Sequence, residues 1–319
     1  MCSLRKSSSK QPNMIPESYI PPSLVKPLYV KKSLVTPSSI GNNLKLGTPT
    51  IGGKSRLLNI LLKIMMFAIR KYDITGTVEA FGGGNKFITN LTPRLEYKIF
   101  NEMDWGFASI AACTTDEQML NQMIKRAFEL QFSIQTKEAF NEAKEKRRQI
   151  ETPIVEAAAL TIVVQAFSRA ADRQNFDKQK VENGISLSYL NKYKRMHYMM
   201  KGTQVTSMDY VDAIKPFLQS ENLLLYLDPP YYGTKSYEDD FPDWRHGELA
   251  ELVLHSKMKI MISNFENPYY EDILENNGWH KIFLGEIPKS SAAKADEKQE
   301  EWLWTNFTIP SYLQPKKNS

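Results

Sequence analysis

The sequence predicts an α/β protein: one open sheet carrying a helical insertion. Three observations lead there. Strand-like and helix-like stretches alternate at both ends of the chain, while residues 116–171 between them keep helical spacing. Glycine-rich and proline-rich turns follow directly on apolar strand-like runs, as at the carboxyl edge of such a sheet. And 319 residues, 42% of them hydrophobic, suffice for one large domain or a domain with a sizeable insertion.

Each element has its own warrant. Lys54 to Arg70 reads as a helix started by Gly52-Gly53; its apolar stretch, Leu57 to Ile69, is interrupted by Asn59 and Lys63 and is too short to span a bilayer. Ile74 to Ala80 is a short strand ended by the turn Phe81-Gly82-Gly83-Gly84, and Tyr97 to Phe100 is a second strand. Met119, Met123, Phe128 and Leu130, then Ile154, Ala158, Ile162 and Ala166, recur at helical spacing. Strands resume at Gln204–Met208, Leu223–Leu227 and Lys259–Ser263, with a helix between Gly247 and Ser256. Two more follow near Lys281–Leu284 and Trp302–Phe307.

Charge and cysteine usage narrow the setting. Residues 1–46 carry seven Lys/Arg against Glu17, a net +6, so the chain's overall +5 conceals a near-neutral body behind a basic tail. Six prolines and many serines predict that this tail is flexible; residues 311–319 form a C-terminal tail. A second basic stretch, residues 169–201, is net +5 and interleaves Arg169, Arg173, Lys192, Lys194 and Arg195 with Tyr189, Tyr193, His197 and Tyr198. Cations that neutralise phosphates beside rings that stack on bases suit nucleic acid. Cys2 and Cys113 form no metal-ligand pattern and no secretory leader opens the chain, so the expectation is a reduced cytoplasmic protein with no metal and no membrane segment.

Two turns carry the chemistry. The glycine-rich turn after Val78-Glu79-Ala80 lets backbone approach a nucleotide-like ligand, and Glu102 follows Gly82 by 20 residues, where an acid accepts from ribose hydroxyls. There is no phosphate-cradling P-loop, which suggests an adenosine derivative without a phosphate chain. The stronger feature is Leu223-Leu224-Leu225-Tyr226-Leu227-Asp228-Pro229-Pro230-Tyr231. Two prolines make the loop rigid and remove amide donors, leaving carbonyls and the Asp228 carboxylate as acceptors for an aromatic amine. Tyr231 offers a ring for a base to stack on.

Together these motifs resemble the DNA adenine-specific (N6) methyltransferases, in the Dam-like group whose cofactor motifs precede the catalytic loop. The resemblance covers roughly residues 47–310. It matches Gly52-Gly53-Lys54 to an opening element, Glu79-Ala80-Phe81-Gly82-Gly83-Gly84 to the glycine-rich motif, and Glu102 to the acid after the second strand. It also matches Asp209-Tyr210 to a cofactor-adenine contact and Asp228–Tyr231 to the catalytic loop. Phe241, Arg245-His246, Met261 to Phe265 and Trp302 to Phe307 resemble later motifs. The middle departs: Phe167-Ser168-Arg169 stands where the family carries Phe-Asn-Gly, so no target sequence is transferred.

The resemblance implies a seven-stranded, mixed, Rossmann-type methyltransferase sheet formed by residues 47–112 and 203–310, with a target-recognition insertion at 113–202. It implies S-adenosylmethionine as cofactor, held by Gly53, Lys54, Glu79, Phe81, Gly82, Gly84, Glu102, Asp209, Tyr210 and Asp228. Asp228, Pro229, Pro230 and Tyr231 would be catalytic, and Phe241, Arg169, Arg173, Lys192, Lys194 and Arg195 would face DNA. It further implies double-stranded DNA as partner, in a bacterial nucleoid or phage-infected cell, and admits a cognate restriction enzyme. Two alternatives stay open: an RNA methyltransferase using the same loop, and a catalytically silent, cofactor-sensing DNA-binding protein.

Overall fold

The computed structural model of the chain describes residues 57–84, 86–91, 95–234, 241–288 and 298–315. Gly53, Lys54, the basic tail and the acidic run at 238–240 lie outside them. In chain order the elements are α1 (Leu58–Lys71), β1 (Gly76–Glu79), β2 (Tyr97–Asn101), α2 (Trp105–Thr115), α3 (Glu117–Leu130), α4 (Lys137–Lys146) and α5 (Ile154–Ala166). There follow α6 (Lys178–Asn183), α7 (Leu187–Met200), β3 (Thr203–Thr206), α8 (Tyr210–Ile214) and β4 (Leu223–Leu227). The chain continues through α9 (Trp244–Leu254), β5 (Lys259–Asn264), α10 (Pro268–Ile273), β6 (His280–Pro288) and β7 (Lys298–Thr305).

The seven described strands form one sheet in the order β3-β2-β1-β4-β5-β7-β6. β3 through β5 pair in parallel, and β7 inserts antiparallel between β5 and β6. This is the mixed Rossmann-type methyltransferase sheet that the motifs imply. β4 lies in its middle, and all five of its residues are buried, which is why it reads as an unbroken apolar run. On one face α1 packs Leu61, Leu62 and Met65 against Leu224, Tyr226 and Met261. On the other, Leu249, Ala250 and Val253 of α9 and Tyr270 of α10 cover Leu225, Leu227, Ile260 and Ile262.

The helical block has a core of its own, built from Phe107, Met123, Phe140, Ile162, Val163, Leu190 and Tyr193. All its helices but α5, which follows Pro153, start where side chains satisfy free amides: Asp104, Asp116, Thr136, Asp177 and Ser186 each accept from the first turn. The block begins at Trp105, earlier than the helical spacing of the sequence predicts. Nearly every residue of α2 is buried, so it lacks the one-sided periodicity that betrays an amphipathic helix. The final hairpin is longer than predicted at its outer end, and α8 and α10 are additions. Among the described residues no helix is long and apolar enough to cross a membrane.

Candidate active site

The carboxyl ends of β1, β2, β4 and β5 share one edge, and the strand order reverses between β1 and β4. Open α/β sheets bind ligands at such a point. The glycine-rich turn, Glu102, Asp209 and Asp228 all come to this edge.

The turn is shaped by its neighbours. Gly82 N–H donates to the Asn101 carbonyl at 2.8 Å, and a Cβ on Gly82 would sit 2.1 Å from the Phe100 ring, so no larger residue fits. Gly83 adopts φ +48° and donates to Glu102 Oε2 at 2.5 Å. The other Glu102 oxygen accepts from Asp104 N–H at 2.8 Å. Asp104 in turn caps α2 through Phe107 N–H and receives Arg147 Nη1 at 2.8 and 2.9 Å. Burial pushes the Asp104 carboxyl up, but Arg147 and the Phe107 amide outweigh it and hold the group below its usual range.

Glu79 ends β1 and is buried, its Oε2 accepting from Ile88 N–H at 3.2 Å. Burial, reinforced by the charges of Asp228 and Glu102, holds its carboxyl well above the ordinary 4.5. Three acids thus converge on one sheet edge. Asp228 Oδ1 accepts from the Ser263 hydroxyl at 3.3 Å, and that hydroxyl pairs with Tyr226 Oη at 2.9 Å.

The catalytic-type loop is held on both sides. Asn264 Oδ1 accepts from the amides of Tyr232 (3.1 Å) and Phe265 (3.0 Å), and Thr234 Oγ1 donates to the Tyr231 carbonyl at 2.8 Å. The Tyr231 ring stacks on Phe265 with centroids 3.9 Å apart and planes inclined by 18°.

Beside the glycine-rich turn, Phe81, Tyr210 and Phe241 form a triangle of rings with centroids 5.1 to 5.8 Å apart. Arg245 lies over two of them, 4.6 Å from Tyr210 and 5.5 Å from Phe241, and donates to Asp209 Oδ2 at 2.6 Å. Tyr210 Oη donates to Glu248 at 2.6 Å. Phe241, expected from the sequence to face DNA, belongs to this triangle. His246 is buried with Nδ1 2.8 Å from Tyr270 Oη, and burial pushes its imidazole down to about 4, so it is neutral at physiological pH.

The basic side chains of the insertion divide. Arg169, Lys194 and Arg195 are exposed. Lys192 is half-buried, its ammonium 4.0 Å from the Tyr189 ring centroid and 4.8 Å from that of Tyr193, and burial lowers it to about 8. Arg173 is buried, 4.7 Å over the Phe107 ring and within the field of Asp104, and adopts a left-handed φ of 61°. Its side chain is an anchor of the insertion and offers little surface to a phosphate.

Sequence reasoning missed Asn101, Asp104, Arg147 and the individual roles of Arg245, Ser263, Asn264 and Phe265. Asp104 carried a readable signal, an acid directly before the Trp105 helix. Asn101 did not: it ties three strand ends by donating to the Ala80 and Met208 carbonyls and accepting from Thr206 and Met208.

No curated protein matches this chain. The family model for D12 class N6 adenine-specific DNA methyltransferase matches residues 51–283, which spans the glycine-rich turn, Glu102, the insertion, Asp228–Tyr231 and the Ser263–Phe265 strand end. Methyltransferases of this kind generally use S-adenosylmethionine. A match over more than two thirds of the chain, on this sheet and with these acids gathered at its edge, makes the chain a member of the D12 class N6 adenine-specific DNA methyltransferase family.

Proposed function

We propose that this enzyme transfers a methyl group from S-adenosylmethionine directly to the N6 amine of an adenine extruded from duplex DNA. The observation that carries the reading is the convergence of Glu79, Glu102 and Asp228 beside the rigid Asp228–Tyr231 loop.

The residues present fit the cofactor. A pair of acids and a turn that only glycine can form suit a cationic, ribose-bearing ligand, and the Phe81–Tyr210–Phe241 triangle beside Asp209 suits a planar adenine. When bound, the cofactor supplies an electrophilic methyl on a sulfonium. Asp228 and the Pro229 carbonyl accept the two hydrogens of the target amine, which draws its lone pair out of the ring and aims it at the methyl carbon. Asp228 would stabilise the positive charge that develops on N6 as the amine takes the methyl group, and one N6 proton would then leave to solvent. The insertion supplies DNA contacts through Arg169, Lys194 and Arg195. Extrusion costs a few kcal/mol, offset by stacking on Tyr231 and hydrogen bonds from the loop.

Transfer of tritiated methyl from the cofactor to duplex DNA, with RNA in parallel, tests this reading. Label on N6-methyladenine in DNA, absent with Asp228→Ala, is expected. Label on RNA alone, or on no nucleic acid, overturns it. Mapping modified bases on plasmid DNA from expressing cells gives the target site.

A further inference from the structure

The backbone of Tyr231 is fixed from every side: two prolines precede it, Thr234 binds its carbonyl, and Asn264 holds the amide that follows. Only 7% of the residue is exposed, and one face of its ring is covered by the near-parallel Phe265 ring at 3.9 Å. Phe265 lies at the same strand end as the reacting acid. The register pairs Leu227 with Ile262, which sets Asp228 beside Ser263, and Phe265 follows two residues later, in the bend directly after β5.

Phe265 has no polar side-chain atom, and its backbone is anchored through its own amide to Asn264. Phe265 is itself only 5% exposed, so its ring leaves by exchanging packing and not by breaking a hydrogen bond. A purine taking its place exchanges one aromatic stack for another of larger area.

We infer that Phe265 is a stand-in for the target base: its ring fills the slot on Tyr231 in the free enzyme and yields it to the extruded adenine. This inference rests on the extrusion reading above. It makes Phe265 a gate on target entry, and it explains how a flat apolar slot stays closed to water between turnovers.

The experiment uses the full chain and two substitutions with opposite expectations. Phe265→Ala empties the slot, so free 9-methyladenine should bind at least tenfold more tightly than to the wild type by calorimetric titration. Phe265→Trp fills it more firmly, so KM for DNA should rise at least fivefold with cofactor affinity unchanged. Equal 9-methyladenine affinity in a folded Phe265→Ala protein overturns the inference; so does an unchanged KM in Phe265→Trp, which serves alone if the alanine variant does not fold. A duplex carrying 2-aminopurine at the mapped methylation position separates the two levels. No fluorescence change with the wild type defeats base extrusion itself, whereas a normal change with unaltered variants defeats only the role of Phe265.

Discussion

The guanidinium of Arg245 donates to Asp209 Oδ2 at 2.6 Å while lying 4.6 Å over the Tyr210 ring. One side chain thereby fixes both the carboxylate and the aromatic face expected to hold an adenine. Arg245→Met should weaken binding of S-adenosylhomocysteine by about tenfold, roughly 1.4 kcal/mol. Folding should be little affected, because the pair is partly solvated and such bridges contribute little to stability. Calorimetric titration beside a thermal melt is the check; unchanged affinity would move the adenine elsewhere.

Asp228→Ala should lower turnover by roughly 10²–10³, equivalent to about 2.7–4 kcal/mol of transition-state stabilisation. DNA affinity should change far less. Single-turnover methyl transfer measures it, and a rate within threefold of the wild type would defeat the assignment of the loop.

Glu79 gives the cofactor site a pH dependence with a definite sign. Its carboxyl is neutral at a pH where an ordinary one is charged, because burial and the neighbouring acids raise it. A cationic ligand favours the ionised form, so binding expels a proton, and affinity should rise with pH from 4.5 up through the raised value. In Glu79→Gln the slope should flatten. The same group affects folding with the opposite sense: the stability it contributes is complete below 4.5 and is lost as pH rises through the raised value. An unaltered affinity–pH profile in Glu79→Gln would show that this acid does not meet the cofactor.

Removing one partner of the buried Arg147–Asp104 pair should be costly. Arg147→Met leaves an uncompensated buried carboxylate, and a destabilisation of about 3–5 kcal/mol in chemical denaturation is expected. The double change Arg147→Met with Asp104→Asn keeps the helix cap acceptor and removes the orphaned charge, so it should recover part of that stability. A double variant no more stable than Arg147→Met would indicate that packing, not charge, dominates there.

The insertion's basic residues should separate by salt dependence. Reversing the charge of Arg169, Lys194 and Arg195 should flatten the log–log salt slope of DNA affinity by about 0.9 for each phosphate no longer neutralised. Lys192→Met should leave the slope alone, since its ammonium lies against two tyrosine rings. Deleting residues 1–40 should weaken binding less, and independently of DNA sequence. If the triple reversal leaves the slope intact and the deletion removes most of the affinity, the tail is the main DNA anchor.

What could be read from the sequence depended on how locally each feature is determined. Leu223–Leu227 was legible to the residue because a strand buried on both faces writes an apolar run, and Asp-Pro-Pro-Tyr advertises a rigid edge. Gly82 was legible as a turn, but the Phe100 ring that excludes any other residue there belongs to the next strand. Arg173 misled: its composition matched the exposed cations around it, and the Phe107 and Asp104 that bury it come from the start of α2, far away in sequence. α2 was invisible for the same reason that it is central, since burial on every side removes the periodic contrast that marks a helix.

The helical block leaves the sheet after β2 and re-enters at β3, and those two strands are parallel, hydrogen-bonded neighbours with Lys98 facing Thr203. Because the strands run parallel, its exit at Asn101 and its re-entry at Thr203 lie at opposite ends of that one ladder, about 10 Å apart along the strands and about 4.8 Å across them. A segment tied to a single pair of neighbouring strands can be replaced by another of the same span without disturbing the register of any strand that carries the acids. If the block contacts DNA as proposed, selection can exchange one target preference for another as a cassette, while the transfer chemistry is inherited unchanged.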